Sequence, residues 1–355
     1  GDVYGIVLPR CPEGHLGAVA EKILDSFRNR PIELPSGDFH ISVSIGGVAF
    51  PGAARTAHDV MTRAERAMQQ VKQRGRDSFI QYQRSENQMR EHRKHLQVGE
   101  KVLEAIDTKK AVFAYQPVLE NGGTKVAFHE ALLRIQDSDG SLLPAGRFIP
   151  AVERLGLTRV VDLYVLEMAM EELARFSDAR LAINISGLTV SDRSWLRRLI
   201  ALLKENPGQA ERVIVEITET AAMQDIEESA RFVRAVRDQG CKVALDDFGS
   251  GYTSFHHLKA LTVDIVKIDG SFVQGLADNR NNQLFIRTLL DLVNAFGLRA
   301  VAECVETRAE AEFLNDLGVH YLQGYYYGRP KIGEPWIPCS NETASSGEIV
   351  RELAG

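Results

Sequence analysis

The sequence predicts an α/β protein whose main part is a TIM-like (β/α)8 barrel with an antiparallel first strand, preceded by a small α/β unit. Three observations predict it. Eight short apolar runs recur from Ala111 onward, most of them separated by stretches of helical spacing. Strands alternating with helices imply a parallel sheet, and eight such strands close into a barrel. Polar side chains gather at or near the ends of these runs, where a barrel keeps its active site. Only Glu120-Asn121-Gly122-Gly123 and a few neighbours separate the first two runs. That connection suits a hairpin and is too short for a parallel crossover, so the first strand is expected to run against the rest.

Residues 1–82 form the small unit. Val3–Leu8 is expected as a strand and Leu16–Phe27 as an amphipathic helix, because Leu16, Val19, Ala20, Ile23, Leu24 and Phe27 recur at helical spacing. Phe39–Val48 alternates as a strand does, Asp59–Val71 has helical spacing, and Ser78–Tyr82 is a last short strand. Residues 83–95 are polar and charged without Gly or Pro, which suits a solvated linker helix. The barrel is expected over 96–338 and a polar, peripheral tail over 339–355. Its runs are Ala111–Tyr115, Val126–Leu133, Leu181–Ile185, Val213–Ile217, Lys242–Leu245, Ile265–Ile268, Leu298–Ala302 and Val319–Leu322. The helical stretches are Val160–Phe176, Trp195–Leu203, Ile226–Asp238, Asn282–Phe296 and Ala309–Leu317.

Bulk properties narrow the function. With 44% apolar and 25% charged residues the chain is an ordinary globular protein. Its net charge of −6 argues against a DNA or RNA polymer as partner. Four cysteines lie far apart, which gives neither a zinc site nor a disulfide framework and points to a reducing, cytoplasmic setting. No apolar run is long enough to span a membrane. The chain starts at Gly1-Asp2 without a methionine, so it is expected to be a fragment, with room for an upstream sensor or membrane domain.

The ends of the runs carry the chemistry. In chain order they offer Glu130 and Arg134, Asn184, Glu216 and Glu219, Asp246 and Asp247, Lys267 and Asp269, Glu303 and Glu306, then Gln323. A closed barrel gathers them at one mouth. The adjacent Asp246 and Asp247 repel unless one is protonated or a cation lies between them. An oxygen-rich set without paired Cys or His suits Mg²⁺ or Mn²⁺. Two such ions would account for the charge density and suit phosphodiester cleavage. Each residue alone also has a structural explanation. Glu219 and Glu306 suit helix N-termini, and Asp269 can cap a helix near Ser271. His320 lies mid-run as a packed side chain.

These residues also carry a family resemblance. Residues 96–335 resemble the EAL domain, the bacterial phosphodiesterase that hydrolyses cyclic di-GMP to linear pGpG. The matching motifs, in order, are Tyr115-Gln116-Pro117, Glu130-Ala131-Leu132-Leu133-Arg134, Asn184-Ile185-Ser186 and Glu216-Ile217-Thr218-Glu219. Asp246-Asp247-Phe248-Gly249, Lys267-Ile268-Asp269, Glu303-Cys304-Val305-Glu306 and Gln323-Gly324-Tyr325 follow. The resemblance implies that Glu130, Asn184, Glu216 and Asp246 hold one metal ion, with Asp246 bridging to a second that Asp247 completes. It implies catalytic roles for Lys267, Glu303, Glu306 and Gln323, and substrate contacts from Arg134, Gln116 and Leu132. Glu219 would brace the loop from Phe248 to Ser254, and the barrel would form a homodimer. Departures are mild. Ile135 stands where tryptophan is usual, no His-Pro follows it, Cys304 replaces a common glycine, and Gly187-Leu188 lacks a nearby glutamine.

Residues 1–82 resemble the C-terminal half of a GGDEF domain, through Gly1-Asp2-Val3-Tyr4, Val43-Ser44-Ile45-Gly46 and Lys72-Gln73-Arg74-Gly75-Arg76. Val3 stands where a catalytic glutamate belongs, so no cyclase activity is expected. Two other functions compete for the barrel. One is a cyclic di-GMP receptor with negligible turnover, acting through a protein partner. The other is a Schiff-base aldolase using Lys267, which needs a lowered lysine pKa, whereas surrounding carboxylates raise it.

Overall fold

One antiparallel hairpin closes the barrel. In this computed structural model, β1 (Ala111–Glu120) pairs antiparallel with β2 (Val126–Gln136), Gln116 opposite Glu130. Then follow β3 (Leu181–Ile185), β4 (Val213–Thr218), β5 (Lys242–Phe248), β6 (Ile265–Ile268), β7 (Arg299–Ala302) and β8 (Tyr321–Leu322). From β3 onward each pairs parallel with the one before it. β8 returns to β1 in antiparallel register and completes the ring. The structure describes residues 3–336 except 30–31, 35–36, 40, 55, 84–85, 138–139, 250–254 and 334. The expected tail at 339–355, and the loop to Ser254 beyond Gly249, lie outside the described residues.

Each of β2 to β7 is followed by an outer helix: α1 (Thr158–Arg175), α2 (Arg193–Glu205), α3 (Ile226–Arg237), α4 (Phe255–Leu261), α5 (Arg280–Ala295) and α6 (Arg308–Leu317). Short polar side chains start several of them. Asp225 and Asn279 accept from the first-turn N–H groups of α3 and α5, and Thr307 with Glu310 forms a full capping box on α6. Strand lengths depart from expectation at two places. β1 continues beyond Tyr115 because Val118 is buried in the cluster inside the ring and Leu119 is buried opposite Leu322 of β8. The last run shortens to Tyr321–Leu322 because the Val319 N–H donates to Leu314 O, which ties Val319 to the left-handed C-cap at Gly318.

Two apolar layers follow from the period of two. On β3, Leu181, Ile183 and Ile185 face outward into the core shared with the helices, as do Val213, Val215 and Ile217 on β4. Each such side chain contributes about 1.5–3 kcal/mol by leaving water. The alternate positions face inward. Val118, Phe128, Ala182, Ile214, Ala244, Ile265 and Val301 form a separate small cluster inside the ring. Two residues further on along the parallel strands, the same inward face carries Glu130, Asn184, Glu216, Asp246, Lys267 and Glu303. On the antiparallel β1 the step runs backwards, from Val118 to Gln116. The site is therefore the next layer above the inner apolar plug.

The chain divides between Lys94 and His95 into two compact units, and the helix expected as a linker runs on from Glu86 to Asp107. In the first unit, helices span Leu16–Arg28 and Ala57–Gln73, and Ile45–Gly47 pairs parallel with Phe79–Gln81. Val3–Leu8 is not a strand. It has no pairing partner among the described residues, and Val3, Tyr4, Ile6 and Val7 are exposed. A strand requires a neighbour to satisfy its N–H and C=O groups. The expected strand over Phe39–Val48 is also broken: Gly37–Phe39 pairs with Ile32–Leu34, and strand geometry resumes at Ile45. Gly46 sets that later position, because a Cβ there would strike the backbone of Ala64 and Met68 in the second helix.

Candidate active site

Lys267 stands at the centre of the polar layer, with only 1% of its surface exposed. Its Nζ lies 2.8 Å from Glu216 Oε2, 2.8 Å from Glu303 Oε1, 3.1 Å from Asp246 Oδ1 and 3.5 Å from Glu130 Oε2. Two amides complete the layer around Glu130: Asn184 Nδ2 donates to Oε1 at 2.7 Å, and Gln323 Nε2 donates to Oε2 at 2.6 Å. Gln323 Nε2 also reaches Gln116 Oε1 at 3.3 Å, and Gln116 donates to the Gly328 carbonyl. Gly324 allows this close closure. A Cβ on it would meet the Val305 backbone, which packs the end of β8 against the segment after β7. Gly324→Ala is expected to cost about 1–3 kcal/mol through forced backbone shifts. A thermal melt checks this, and an unchanged Tm would contradict it.

The charges in the layer resolve unequally. Burial disfavours the Lys267 cation, yet Glu130, Glu216, Glu303 and Asp246 together hold its pKa well above the usual lysine value. A Schiff-base role for Lys267 therefore fails for the reason expected from its neighbours. Burial also raises Glu130, but Lys267 and the hydrogen bonds from Gln323 and Asn184 outweigh it and leave the group ionised. Glu216 is pushed well up by burial and by Glu130 and Asp246. Burial pushes Glu303 up to about 7.

Asp246 and Asp247 do not point to opposite faces, as neighbours on a regular strand do. The pairing of β5 with β6 slips between Leu245 and Phe248, and Asp247 takes a left-handed φ of 55°. This bulge re-aims one side chain. Carboxylate oxygens of Asp246, Asp247 and Glu303 come to lie within 4.8 Å of one another. Burial, Asp246 and Asp269 raise the pKa of Asp247, the mark of a site short of positive charge. In addition Glu216 Oε1 is buried without a hydrogen-bond partner. An all-oxygen donor set with an orphaned carboxylate oxygen and three converging carboxylates fits a hard divalent cation.

A pH dependence follows. Glu303 and Glu216 bind protons more tightly in the folded than in the unfolded chain. In the metal-free protein their contribution to stability therefore falls as pH rises from the unfolded value of 4.5 through about 7. A cation competes with those protons. The Tm gain from saturating Mn²⁺ is expected to grow between about pH 5 and about pH 7. A gain that is flat or shrinks over that window would contradict the assignment.

Residues 100–330 match the family described as EAL domain, well over half of the 355-residue chain. The chain belongs to the EAL family. Residues 1–78 match the family described as diguanylate cyclase, GGDEF domain. Over 340 residues the chain is 30% identical to the bifunctional diguanylate cyclase/cyclic di-GMP phosphodiesterase MucR of Pseudomonas aeruginosa, covering 94% of this chain and 49% of that protein. It is 30% identical over 337 residues to the cyclic di-GMP phosphodiesterase PdeB of Shewanella oneidensis, covering 93% of this chain and 39% of that protein. The chain thus spans about half the length, or less, of these relatives. Among solved structures, the PaMucR phosphodiesterase in complex with c-di-GMP superposes with a TM-score of 0.62 at 30% identity, covering 66% of this chain and 97% of that one. The FimX EAL domain of Pseudomonas aeruginosa bound to c-di-GMP does so with a TM-score of 0.62 at 27% identity, covering 66% and 96%.

Other residues of the EAL barrel take varied places. The buried Glu219 opens the short helix Glu219–Gln224 and accepts from the Gly249 N–H at 2.7 Å. Asp269 caps the turn at Gly270–Val273 through the Ser271 N–H. Arg134 is half-buried and donates to its own neighbour's carbonyl at Leu133; burial lowers its pKa, against the opposing pull of the Glu130 carboxylate. Leu132 is half-buried. The Glu306 side chain is exposed, and its backbone N–H donates to Glu310 Oε2. His320 is packed as expected, its Nδ1 accepting from the Ala300 N–H.

Two supporting carboxylates were not legible in the sequence. Asp162 on α1 accepts from the Ser186 N–H and the Thr189 hydroxyl, which fixes the turn after Asn184. Glu310 accepts from the Gly275, Glu306 and Thr307 N–H groups and ties down the segment after Glu303. The only available signal was the capping-box spacing from Thr307 to Glu310. Cys304 adopts φ 55°, a left-handed conformation that glycine takes without strain. Cys304→Gly is expected to stabilise the barrel by up to about 1 kcal/mol, the left-handed cost less the added chain entropy. Chemical denaturation measures it, and a destabilised variant would contradict it. No described helix is long and apolar enough to cross a membrane.

Proposed function

We propose that this chain hydrolyses cyclic di-GMP to linear pGpG with two divalent cations, Mg²⁺ or Mn²⁺, as cofactors. The observation that carries the reading is the single layer of Glu130, Asn184, Glu216, Asp246, Lys267, Glu303 and Gln323 above the barrel's apolar plug. Glu130, Asn184, Glu216 and Asp246 would hold one ion, and Asp246 with Asp247 the second. When bound, the ions supply charge stabilisation at phosphoryl oxygens and a lowered pKa for water.

The chain's own residues do the rest. Water adds to phosphorus, the P–O3′ bond breaks, and the released 3′-oxygen takes a proton, leaving a 5′-phosphate on pGpG. Glu303, with a pKa near neutrality, is placed to accept the proton of the attacking water. Lys267, held by four carboxylates, presents a fixed cation that orients the water or a phosphate oxygen. Gln323 and Glu306 act through water. Arg134 meets a substrate phosphate, and Gln116 and Leu132 line the bound dinucleotide. Glu219 braces the loop beyond Gly249 through its backbone.

The division into 1–82, 83–95, 96–338 and 339–355 belongs to the same proposal. The first unit acts as a degenerate regulatory or packing module, and the barrel pairs as a homodimer in the cytoplasm, under an upstream sensor. The deciding experiment incubates the chain with cyclic di-GMP, with and without Mg²⁺ or Mn²⁺, and separates the products. Metal-dependent pGpG supports the proposal. Binding without product would make the chain a receptor instead.

A further inference from the structure

The other end of the barrel carries a second, differently charged recess. A cavity of about 420 Å³ opens among the N-terminal ends of β5, β6 and β7. Arg237, Lys242, Lys259 and Arg299 line it against one carboxylate, Asp264. That concentration of positive charge stands out in a chain of net charge −6. Asp264 is already engaged: Arg237 Nε donates to both its oxygens at 3.1 Å, and the Val243 N–H donates to it at 2.9 Å. Among the described residues no salt bridge joins Lys242, Lys259 or Arg299 to a carboxylate, so the recess keeps three uncompensated cations. Apolar rings border the same space. Phe296 is 40% exposed and Tyr321 is half-buried.

We propose that this recess binds a mononucleotide, with its phosphate on Lys242, Lys259 and Arg299 and its base against Phe296 and Tyr321. The chemistry matches both parts of the ligand: cations for a phosphate, and partly exposed aromatic rings for a flat base. The volume lies at the small end of the roughly 300–1,000 Å³ of small-molecule sites, which suits one nucleotide. Thr262, at the rim, holds a left-handed φ of 53°, a strained geometry for a β-branched residue. The site is separate from the carboxylate layer but shares its strands. Lys242 begins the strand that bears Asp246, and Arg299 begins the one that leads into Glu303.

The test is calorimetric titration of 5′-GMP into the full 355-residue chain with EDTA present and no divalent cation. Saturable binding is expected. The double variant Lys242→Gln/Arg299→Gln should weaken it by at least about tenfold, the loss of two charge-assisted contacts. Phe296→Ala should weaken GMP binding more than that of inorganic phosphate, and Glu130→Ala should leave it unchanged. No binding at millimolar GMP would overturn the proposal. So would binding abolished by Glu130→Ala and untouched by the double variant, since that locates the nucleotide at the carboxylate face. Equal affinity for inorganic phosphate, insensitive to Phe296→Ala, would overturn the nucleotide assignment. None of these outcomes depends on turnover of cyclic di-GMP, so the two proposals fail separately.

Discussion

Glu130→Ala is expected to lower cyclic di-GMP turnover by at least about 10²-fold, and Asp246→Ala by as much, about 2.7 kcal/mol or more of lost transition-state stabilisation. Glu130 receives Asn184 and Gln323 on its two oxygens and faces Lys267 at 3.5 Å. Its removal takes away one proposed cation ligand and frees two amides from their fixed orientation. Asp246 touches Lys267 at 3.1 Å and belongs to the cluster with Asp247 and Glu303. Product separation after timed incubation with Mn²⁺ measures the effect. A variant that retains more than about a tenth of the activity would remove its residue from the first coordination sphere. The two substitutions should not add, because both carboxylates face the same lysine and belong to the same proposed cation site.

Lys267→Met tests the electrostatics from the other side. The ammonium offsets four carboxylates in a layer where it is itself 1% exposed. Removing one partner of a buried ion cluster costs about 3–5 kcal/mol, because the remaining charges are left uncompensated. Part of that is relieved when Glu303 or Glu216 takes a proton, so the loss should sit near the lower figure at neutral pH and shrink as pH falls. Added Mn²⁺ should recover more stability in the variant than in the parent, since a cation replaces the missing charge, while turnover stays low. Denaturant titrations with and without the ion measure both parts. A loss below about 1 kcal/mol, with no differential rescue, would show that the carboxylates do not depend on the lysine.

Much of this site lies on the surface of the sequence. The apolar runs fixed the strands, and the period of two fixed which face each polar side chain takes. Phe128 and Glu130, Ala182 and Asn184, Ile214 and Glu216, and Val301 and Glu303 are the same step repeated. The short link after Glu120 settled the direction of β1, and the reversed step from Val118 to Gln116 confirms its geometry. Local polymer rules suffice for such features, because they depend on residues a few positions apart.

Three things depended on the folded chain. The first is that Lys267, rather than any one acid, sits at the centre of the layer. That arrangement joins residues up to 137 positions from it in sequence, from Glu130 at one extreme to Glu303, and only ring closure sets the distances. The second is the bulge at Asp246-Asp247. Alternation sends adjacent carboxylates to opposite faces, and it takes a slipped register and a left-handed Asp247 to bring both to the Glu303 side. The third is the first unit, where Val3–Leu8 has strand composition but no strand. A sequence determines which side chains suit a pleated surface, whereas a strand exists only where a neighbouring backbone accepts its hydrogen bonds, and that is decided in three dimensions.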